Sequence, residues 1–277
     1  MLKRIITAIV GLSLLSVVYI FSDTVVLPIA FGVMAILGIY EMLGCIGLRR
    51  SVVVSICMYA TTAVSITLAW VLERHSIFLC YYAGCLFVTL TVLFILSLFS
   101  KGKVPIDKAC IAFATCSYII TGFASMVLLR RVTHGEYIFV LALLAPWVSD
   151  AFAYFGGRFF GKHKLIPSVS PKKTVEGSIS GVVMCTIACF LFGLFMEDVM
   201  GKTYPVWAFA VMGVLIAVAS QVGDLIFSLI KRRYEIKDYG FIFPGHGGIL
   251  DRFDSVIATA PFVLMACELF IMLHIIG

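Results

Sequence analysis

The residues best suited to chemistry are concentrated in one stretch of the chain, residues 228–254. Within 27 positions it combines Asp, Lys, Arg and His side chains with four glycines and one proline, in a chain that is otherwise mostly apolar. Asp oxygens suit hard cations such as Mg²⁺, Lys and Arg bind phosphate, and glycine lets the backbone approach a ligand closely. This stretch therefore predicts phosphate chemistry.

A polar stripe leads into the stretch. Its four residues are spaced three, four and three positions apart, which places them on one face of a helix: Gln221, Asp224, Ser228 and Lys231. A carboxylate within a membrane span costs about 2.5–3.5 kcal/mol unless it is paired or hydrated. We therefore interpret Asp224 as part of a functional site. The alternative is a row of interhelical hydrogen bonds that only holds the helices together.

Two more carboxylates, Asp251 and Asp254, begin the next predicted helix. Carboxylates from adjacent helices could hold one or two metal ions between phosphate oxygens. We favour metal binding for Asp251, whereas Asp254 could equally serve as a favourable charge at a helix N-terminus. The intervening turn, residues 244–248, could present backbone N–H groups to an anion or simply reverse the chain. Its His246 could bind phosphate or fix the loop.

A second basic loop, residues 157–176, precedes the seventh predicted helix. Its phosphate-compatible donors lie just before a helix N-terminus, which itself favours anions: Ser170, Lys172, Lys173 and Thr174. The alternative is topogenic charge with helix capping by Thr174 and Glu176. Upstream, Asp150, Tyr154 and Arg158 form another stripe at steps of four, for which an Asp150–Arg158 partnership or purely structural pairing is plausible.

Two glycine patterns have structural interpretations. Gly156 and Gly161-Lys162 resemble a Walker A loop, but His163 stands where Ser or Thr should bind Mg²⁺, and a membrane helix precedes the pattern instead of a strand. We therefore reject nucleotide binding there. Gly177 and Gly181, four residues apart at the start of a span, predict close helix packing.

Composition defines the elements that must position these residues. The chain is 62% hydrophobic and 13% charged, against about 25% charged for a soluble globular protein, and its apolar runs suit membrane helices. We predict an all-α polytopic membrane protein with about nine transmembrane helices in a single domain, residues 1–277. The predicted spans are 5–22, 24–44, 51–72, 76–100, 109–129, 137–156, 177–196, 206–230 and 255–276. Residues 1–136 are predicted to be a scaffold without chemistry, with Glu41 near a span end, and residues 137–277 to be the catalytic half.

Basic residues set the predicted orientation. With the N-terminus in the cytoplasm and the C-terminus outside, 17 of the 21 Lys and Arg residues lie on the cytoplasmic side, and the outer loops carry only Arg74, Arg130, Arg131 and Lys202. Both charged loops, 157–176 and 231–254, then face cytosolic nucleotides. The net charge of +6 is thereby explained without nucleic acid. The nine cysteines lack metal-ligand spacing and are interpreted as packing residues.

The 228–254 stretch resembles the signature of the phosphatidate cytidylyltransferase (CDP-diacylglycerol synthase) family. The matching residues are Ser228, Ile230-Lys231-Arg232, Lys237-Asp238, Gly240, His246-Gly247-Gly248-Ile249 and Asp251-Arg252-Phe253-Asp254. A second motif of the family resembles Ser170-Pro171, Lys173-Thr174 and Glu176-Gly177. The resemblance covers about residues 145–256; before them only the pattern of spans agrees.

The resemblance implies transfer of CMP from CTP to phosphatidate, giving CDP-diacylglycerol and pyrophosphate for phospholipid biosynthesis. It implies a two-metal centre with Mg²⁺, beside which a monovalent ion such as K⁺ is an option, and it makes Asp224 and Asp251 the metal ligands. With Lys231 they are the predicted catalytic residues. The predicted substrate-binding residues are Ser170, Lys173, Thr174, Glu176, Ser228, Arg232, Lys237, His246 and Arg252.

The predicted partners are CTP, phosphatidate and membrane lipids, with no nucleic acid, and a homodimer is left open. The predicted location is the inner (plasma) membrane, with the active site facing the cytoplasm. Two rival functions remain. A CTP-dependent polyprenol or lipid kinase would release CDP instead of pyrophosphate. An ion or proton transporter using Asp150 and Asp224 would need carboxylates along a pathway to both faces, and the outer half is almost without charge.

Overall fold

The structure, a computed structural model, describes residues 2–72, 75–200, 205–242 and 247–272; the side chains of residues 2–8, 200 and 271 lie outside that description. Over these residues the chain forms nine helices and two short strands. The helices are α1 Leu2–Ile20, α2 Val26–Ile46, α3 Val52–Val71, α4 His75–Phe99, α5 Ile106–Leu129, α6 Gly135–Phe160, α7 Val175–Met200, α8 Val206–Arg233 and α9 Leu250–Met272. The strands are β1 Lys164–Ile166 and β2 Ser170–Thr174. Each predicted span coincides with one helix, with its ends shifted by a few residues.

Length and composition identify an integral membrane protein. In the described part of the chain, eight helices, α2 to α9, are long and apolar enough to cross a membrane, and α1 contributes a shorter apolar segment, Ile9–Ile20. Large apolar side chains face outward, as on α4, where Phe87 is 71% and Leu98 76% exposed. An outward apolar surface of this kind suits lipid and not water. The predicted helical membrane class is confirmed.

Residues group into two compact units. The first comprises residues 1–128 and 233–253, and the second comprises residues 129–232 and 254–277. The charged loop after α8 is thus grouped with the front helices by its contacts, although it was assigned to the catalytic half from the sequence. The single membrane domain with a scaffold half stays a prediction.

In the first unit, aromatic packing and hydrogen bonds join neighbouring elements. Phe123 of α5 packs between Phe31 and Phe253, with ring centroids 6.1 and 5.9 Å away, which joins α2, α5 and the first turn of α9. Helices α3 and α4 are linked by a 2.6 Å hydrogen bond between the hydroxyls of Thr61 and Thr89. The front helices therefore form a framework that packs against Phe253 in the first turn of α9.

In the second unit, small residues bring α6 and α7 together. A Cβ at Gly177 would lie 2.5 Å from the Ala153 carbonyl oxygen, and one at Gly181 would lie 2.8 Å from the Ser149 carbonyl oxygen. Neither position can accept a side chain without displacing backbone, so the predicted close packing at these glycines is confirmed. Gly156 lies inside α6, which also removes the Walker A alternative, because that loop must follow a strand.

The basic loop after α6 folds into a hairpin that the sequence did not reveal. Strand β1 pairs antiparallel with β2, with Lys164 opposite Thr174 and Ile166 opposite Ser170. Side chains of a strand alternate between its two sides. Lys172 is accordingly exposed and Lys173 half-buried. The hairpin thereby selects one of two adjacent lysines to face the second unit.

Candidate active site

The centre of the site in the second unit is an ion pair between Lys173 of β2 and Asp224 of α8. Both side chains are about three-quarters buried, at 24% and 28% exposure. The Lys173 ammonium is in direct contact with the Asp224 carboxylate, so the opposite charges attract each other. The other Asp224 oxygen accepts a weak 3.4 Å hydrogen bond from the Ser228 hydroxyl. A half-buried carboxylate with one cation beside it is a suitable place for phosphate and metal chemistry.

Asp150 of α6 is a second carboxylate in this unit. Its Oδ1 accepts a hydrogen bond from the Ser220 hydroxyl at 3.4 Å, and its Oδ2 accepts one from the Ser255 hydroxyl at 2.9 Å. Arg158 instead donates to the Tyr154 hydroxyl at 3.3 Å. The partners found for Asp150 are thus serines on α8 and α9, and not Arg158 on its own helix.

Asp254 of α9 is the third carboxylate. It lies within electrostatic range of Asp224, Asp150 and Lys231, and its Oδ1 accepts a 2.8 Å hydrogen bond from the Ser255 amide. Gly223, next to Asp224, permits this arrangement, because a Cβ there would collide with Ala258 of α9. Three acids and two lysines therefore share this region, and a role for Asp254 beyond a helix-end charge stays a prediction.

The inner end of the predicted stripe has a different role. Gln221 contacts the Ser178 hydroxyl through its side-chain oxygen and donates from Nε2 to the Ser178 carbonyl oxygen at 3.1 Å. These bonds join α8 to α7. Interhelical hydrogen bonding, the alternative for the whole stripe, thus applies at Gln221, whereas one turn further along Asp224 faces Lys173.

Several residues of the second motif hold the hairpin in place. The Thr174 hydroxyl accepts a 3.2 Å hydrogen bond from the Gly177 amide, which caps α7. The Glu176 carboxylate accepts from the Lys162 amide at 3.1 Å and contacts His163 Nδ1 at 2.6 Å. Thr174 is therefore the cap that the alternative interpretation expected, but Glu176 closes the base of the hairpin and does not complete a capping box.

The end of α8 is also tied to the hairpin. Arg232 donates from Nε to the Val169 carbonyl oxygen at 3.2 Å. Val169 lies in the turn between the two strands, and Ser170 begins β2. The contact fixes one of the predicted phosphate-binding residues beside the basic hairpin, on the same unit as Lys173.

In the first unit, Asp251 accepts hydrogen bonds from two backbone amides. Its Oδ2 accepts hydrogen bonds from the Tyr239 amide at 2.8 Å and the Gly248 amide at 2.9 Å. These two bonds close the loop between α8 and α9. Asp251 belongs to the first unit and Asp224 to the second, and their joint role as metal ligands stays a prediction.

Glu41 of α2 binds the same loop. Its Oε1 accepts from the Ile249 amide and its Oε2 from the Leu250 amide, both at 3.0 Å. From the sequence, Glu41 was noted near a span end and was given no role. An acid in an apolar helix was the available signal, but its position near the span end made it appear unimportant.

These two acids explain the glycine-rich turn. A Cβ at Gly248 would collide with the Glu41 carboxylate, and one at Gly247, which has a φ of +89°, would lie 2.7 Å from Asp251 Oδ2. The described part of the turn does present amides to an anion, as the sequence suggested, but the anions are the chain's own carboxylates. The amides of residues 248–250 are therefore engaged internally and are not a phosphate site.

The structure brings together Lys173, Asp224 and Ser228 in the second unit, with Lys231 near Asp254. Lys237 and Arg252 are exposed in the first unit, and the predicted site residue His246 lies outside the described residues. Within the described ranges, no group of three or more His, Cys, Asp and Glu side chains is arranged to hold a metal ion. Mg²⁺ commonly takes only one or two carboxylates and completes its shell with water and substrate phosphates.

Comparison with known proteins adds an independent finding. A model of the cytidylyltransferase family matches residues 2–270. A phosphatidate cytidylyltransferase of Staphylococcus saprophyticus is 36% identical over 162 residues, 58% of this chain and 60% of that protein. One of Haemophilus influenzae is 35% identical over 163 residues, 58% of this chain and 57% of that protein. One of Bacillus subtilis is 35% identical over 192 residues, 68% of this chain and 67% of that protein. The aligned part is thus less than two thirds of the first two relatives.

Proposed function

This chain belongs to the cytidylyltransferase family, and we propose that it transfers CMP from CTP to phosphatidate, giving CDP-diacylglycerol and pyrophosphate. The observation that supports this activity is the Lys173–Asp224 pair with Asp150 and Asp254 nearby. Lys173 belongs to one segment that resembles a family motif, and Asp224 lies one helical turn before the start of the other. The relatives that bear the name phosphatidate cytidylyltransferase point to the same reaction.

The proposed reaction is a displacement at the α-phosphorus of CTP. A phosphatidate oxygen forms the new bond to that phosphorus, and the bond to the bridging oxygen of the β-phosphate breaks, so that pyrophosphate leaves with the electron pair. The phosphate of phosphatidate is already an oxyanion, so no strong base is needed. The chief obstacle is repulsion between two polyanions, which positive groups reduce.

The basic residues of the second unit are suited to that task. Lys173 lies at the site centre, and Lys231 and Arg232 follow on the last turns of α8. We assign Lys173 to the nucleotide or lipid headgroup and Lys231 and Arg232 to phosphate groups. Ser170, Ser228, Lys237, His246 and Arg252 remain proposed substrate contacts. Thr174 and Glu176 act in this proposal by holding the hairpin that carries Lys173.

The donor chemistry of the acids fits a divalent cation. Asp224 has the carboxylates of Asp150 and Asp254 as neighbours, in addition to its ion pair with Lys173. We propose that Asp224 and Asp251 are ligands of Mg²⁺, with K⁺ as a candidate second ion. A bound Mg²⁺ would supply charge neutralisation for the phosphates and the departing pyrophosphate.

We propose that the protein resides in the inner (plasma) membrane with its N-terminus and active site on the cytoplasmic side. The excess of basic residues in alternate loops supports this orientation, and a site on that side has access to CTP. Phosphatidate would reach Asp224 from the adjacent leaflet while its acyl chains stay in hydrocarbon. The homodimer stays a prediction.

The test is to incubate purified full-length protein with phosphatidate, Mg²⁺ and CTP labelled at either the α- or the γ-phosphate. Cytidylyl transfer places the α label in the lipid product and the γ label in pyrophosphate. A lipid kinase would place the γ label in the lipid and release CDP, and that result would overturn the proposal. Omission of phosphatidate is the control for simple hydrolysis of CTP.

A further inference from the structure

Glu41 is a carboxylate in a place where acids are rare. It lies on α2, a helix long and apolar enough to span a membrane, and it is only 3% exposed. A charge in such a helix is retained when it is paired or has a function. The partners of Glu41 therefore indicate why the residue is there.

Those partners are two backbone amides at the start of α9. The first amides of a helix have no acceptor within the helix, and a negative charge beside them is favourable. The Glu41 oxygens accept from the amides of Ile249 and Leu250, at 3.0 Å each. Glu41 thus caps α9 from a helix more than 200 residues away in sequence.

The loop is shaped around this carboxylate. A Cβ at Gly240 or at Gly248 would collide with the Glu41 side chain. Gly240 lies near the middle of the segment between α8 and α9 and Gly248 near its end, so two separate positions of this segment pack against the same acid. Glycine is required at these positions because the Glu41 carboxylate fills the space that a side chain would take.

Asp251, in the first turn of α9, completes the arrangement. It accepts from the Gly248 amide, next to the Ile249 amide that Glu41 binds, and from the Tyr239 amide. Three consecutive amides, 248 to 250, are therefore held by two acids. By binding the amides of residues 249 and 250, Glu41 fixes the position and the rotation about the helix axis of the first turn of α9, which carries Asp251 and Arg252.

We propose that Glu41 is a positioning residue for the reaction. It acts through Gly240 and residues 248–250, which it contacts and holds so that Asp251 and Arg252 keep their working orientation. This inference rests on the proposed cytidylyl transfer. It assigns a role to the front helices, because one of them supplies the acid that shapes the motif loop.

The first test compares the Glu41→Gln and Thr62→Val variants of the full chain. The carboxamide introduced by Glu41→Gln cannot accept both hydrogen bonds, so one N–H loses its partner while side-chain size is kept. Thr62 is a matched control because it is fully buried in the same unit and its hydroxyl bonds only within its own helix, to the Met58 carbonyl oxygen at 2.7 Å. We expect kcat per folded enzyme to fall about tenfold or more in Glu41→Gln and to stay within about twofold of wild type in Thr62→Val.

Pyrophosphate release is measured at a temperature where thermal unfolding shows all proteins fully folded. A merely structural role for Glu41 would reduce the folded fraction and leave kcat of the folded enzyme unchanged. Wild-type kcat in Glu41→Gln, or an equal loss in Thr62→Val, would overturn the positioning role.

The second test is a thermal unfolding cycle, which needs no activity. Gly248→Ala should lower Tm in the wild-type background through its collision with Glu41. In the Glu41→Ala background that collision is absent, so Gly248→Ala should lower Tm by about 2–4 °C less than it does in the wild-type background. If the Tm effects of the two changes are additive, the inferred contact between Glu41 and residue 248 is overturned. If wild-type protein releases no pyrophosphate, the proposed function fails, and this cycle still decides whether Glu41 shapes the loop.

Discussion

The two units each bury acids among apolar helices, but the acids have different kinds of partner. In the first unit, Glu41 and Asp251 accept hydrogen bonds from four backbone amides. In the second unit, Asp150 and Asp224 face serine hydroxyls and Lys173, with Asp254 in electrostatic range. Backbone amides cannot move away without unfolding the loop, whereas side-chain partners can rotate.

This difference separates two uses of a buried carboxylate. An acid held by amides fixes the shape of the chain around it. An acid held by hydroxyls and an ammonium group can exchange those partners for a cation or a phosphate-bound ligand. We therefore predict that the charge of Asp224 serves the reaction. Asp251 has both a structural and a proposed chemical use, because its oxygen binds the loop amides and the resemblance makes it a metal ligand.

The largest effect is expected for Asp224→Asn. The substitution keeps the size of the side chain and removes its charge, so the proposed cation site would lose one of its two proposed ligands. We expect Mg²⁺-dependent pyrophosphate release to fall by about 1,000-fold or more. The protein should still be recovered in the membrane fraction with wild-type thermal unfolding. Full activity in the variant would reject the metal assignment.

Asp251→Asn is the sharpest test of the comparison. The amide oxygen of Asn can take the place of Oδ2 and accept from the Tyr239 and Gly248 amides, so the loop should keep its shape. A loss of about 100-fold or more in pyrophosphate release would then come from the missing charge. The measurement pairs kinetics with thermal unfolding. Near-normal activity would show that Asp251 only closes the loop.

Lys173→Met, compared with Lys172→Met, tests the selection made by the hairpin. The two residues are neighbours of the same type, but only Lys173 faces Asp224, and Lys172 is exposed. We expect kcat/KM for CTP to fall about 100-fold in Lys173→Met and to stay within about twofold of wild type in Lys172→Met. Equal effects would mean that the lysines act as unspecific surface charge.

The sequence predicts much of this molecule because some signals are local. Long apolar runs define the membrane helices, and Asp224 was recognised as unusual because it is an acid inside one of these runs. The steps of three and four placed Gln221, Asp224 and Ser228 on one face. Glycine spacing predicted the close approach at Gly177 and Gly181, where a side chain would meet the backbone of α6.

The remainder depends on which faces of distant elements adjoin, and one sequence does not specify that. Asp150 meets Ser255, which lies 105 residues away, and Glu41 meets amides more than 200 residues away. Lys172 and Lys173 cannot be distinguished by residue type, and only the alternation of side chains along β2 shows that Lys173 is the more buried of the two. The contact of Glu41 was equally unpredictable, because its partners are backbone atoms that carry no signal in residue type.

Ser178→Ala should have the smallest effect and marks where the site ends. The hydroxyl of Ser178 contacts Gln221 across α7 and α8, while the Ser178 carbonyl oxygen, which the substitution retains, still accepts from Gln221 Nε2. Interhelical hydrogen bonds in membrane proteins contribute about 0.6 kcal/mol on average. We therefore expect a slightly lower unfolding temperature and pyrophosphate release within about twofold of wild type. A large loss of kcat with an unchanged unfolding temperature would mean that Gln221 also belongs to the reacting region. The polar stripe would then be functional along its whole length and not only from Asp224 to Lys231.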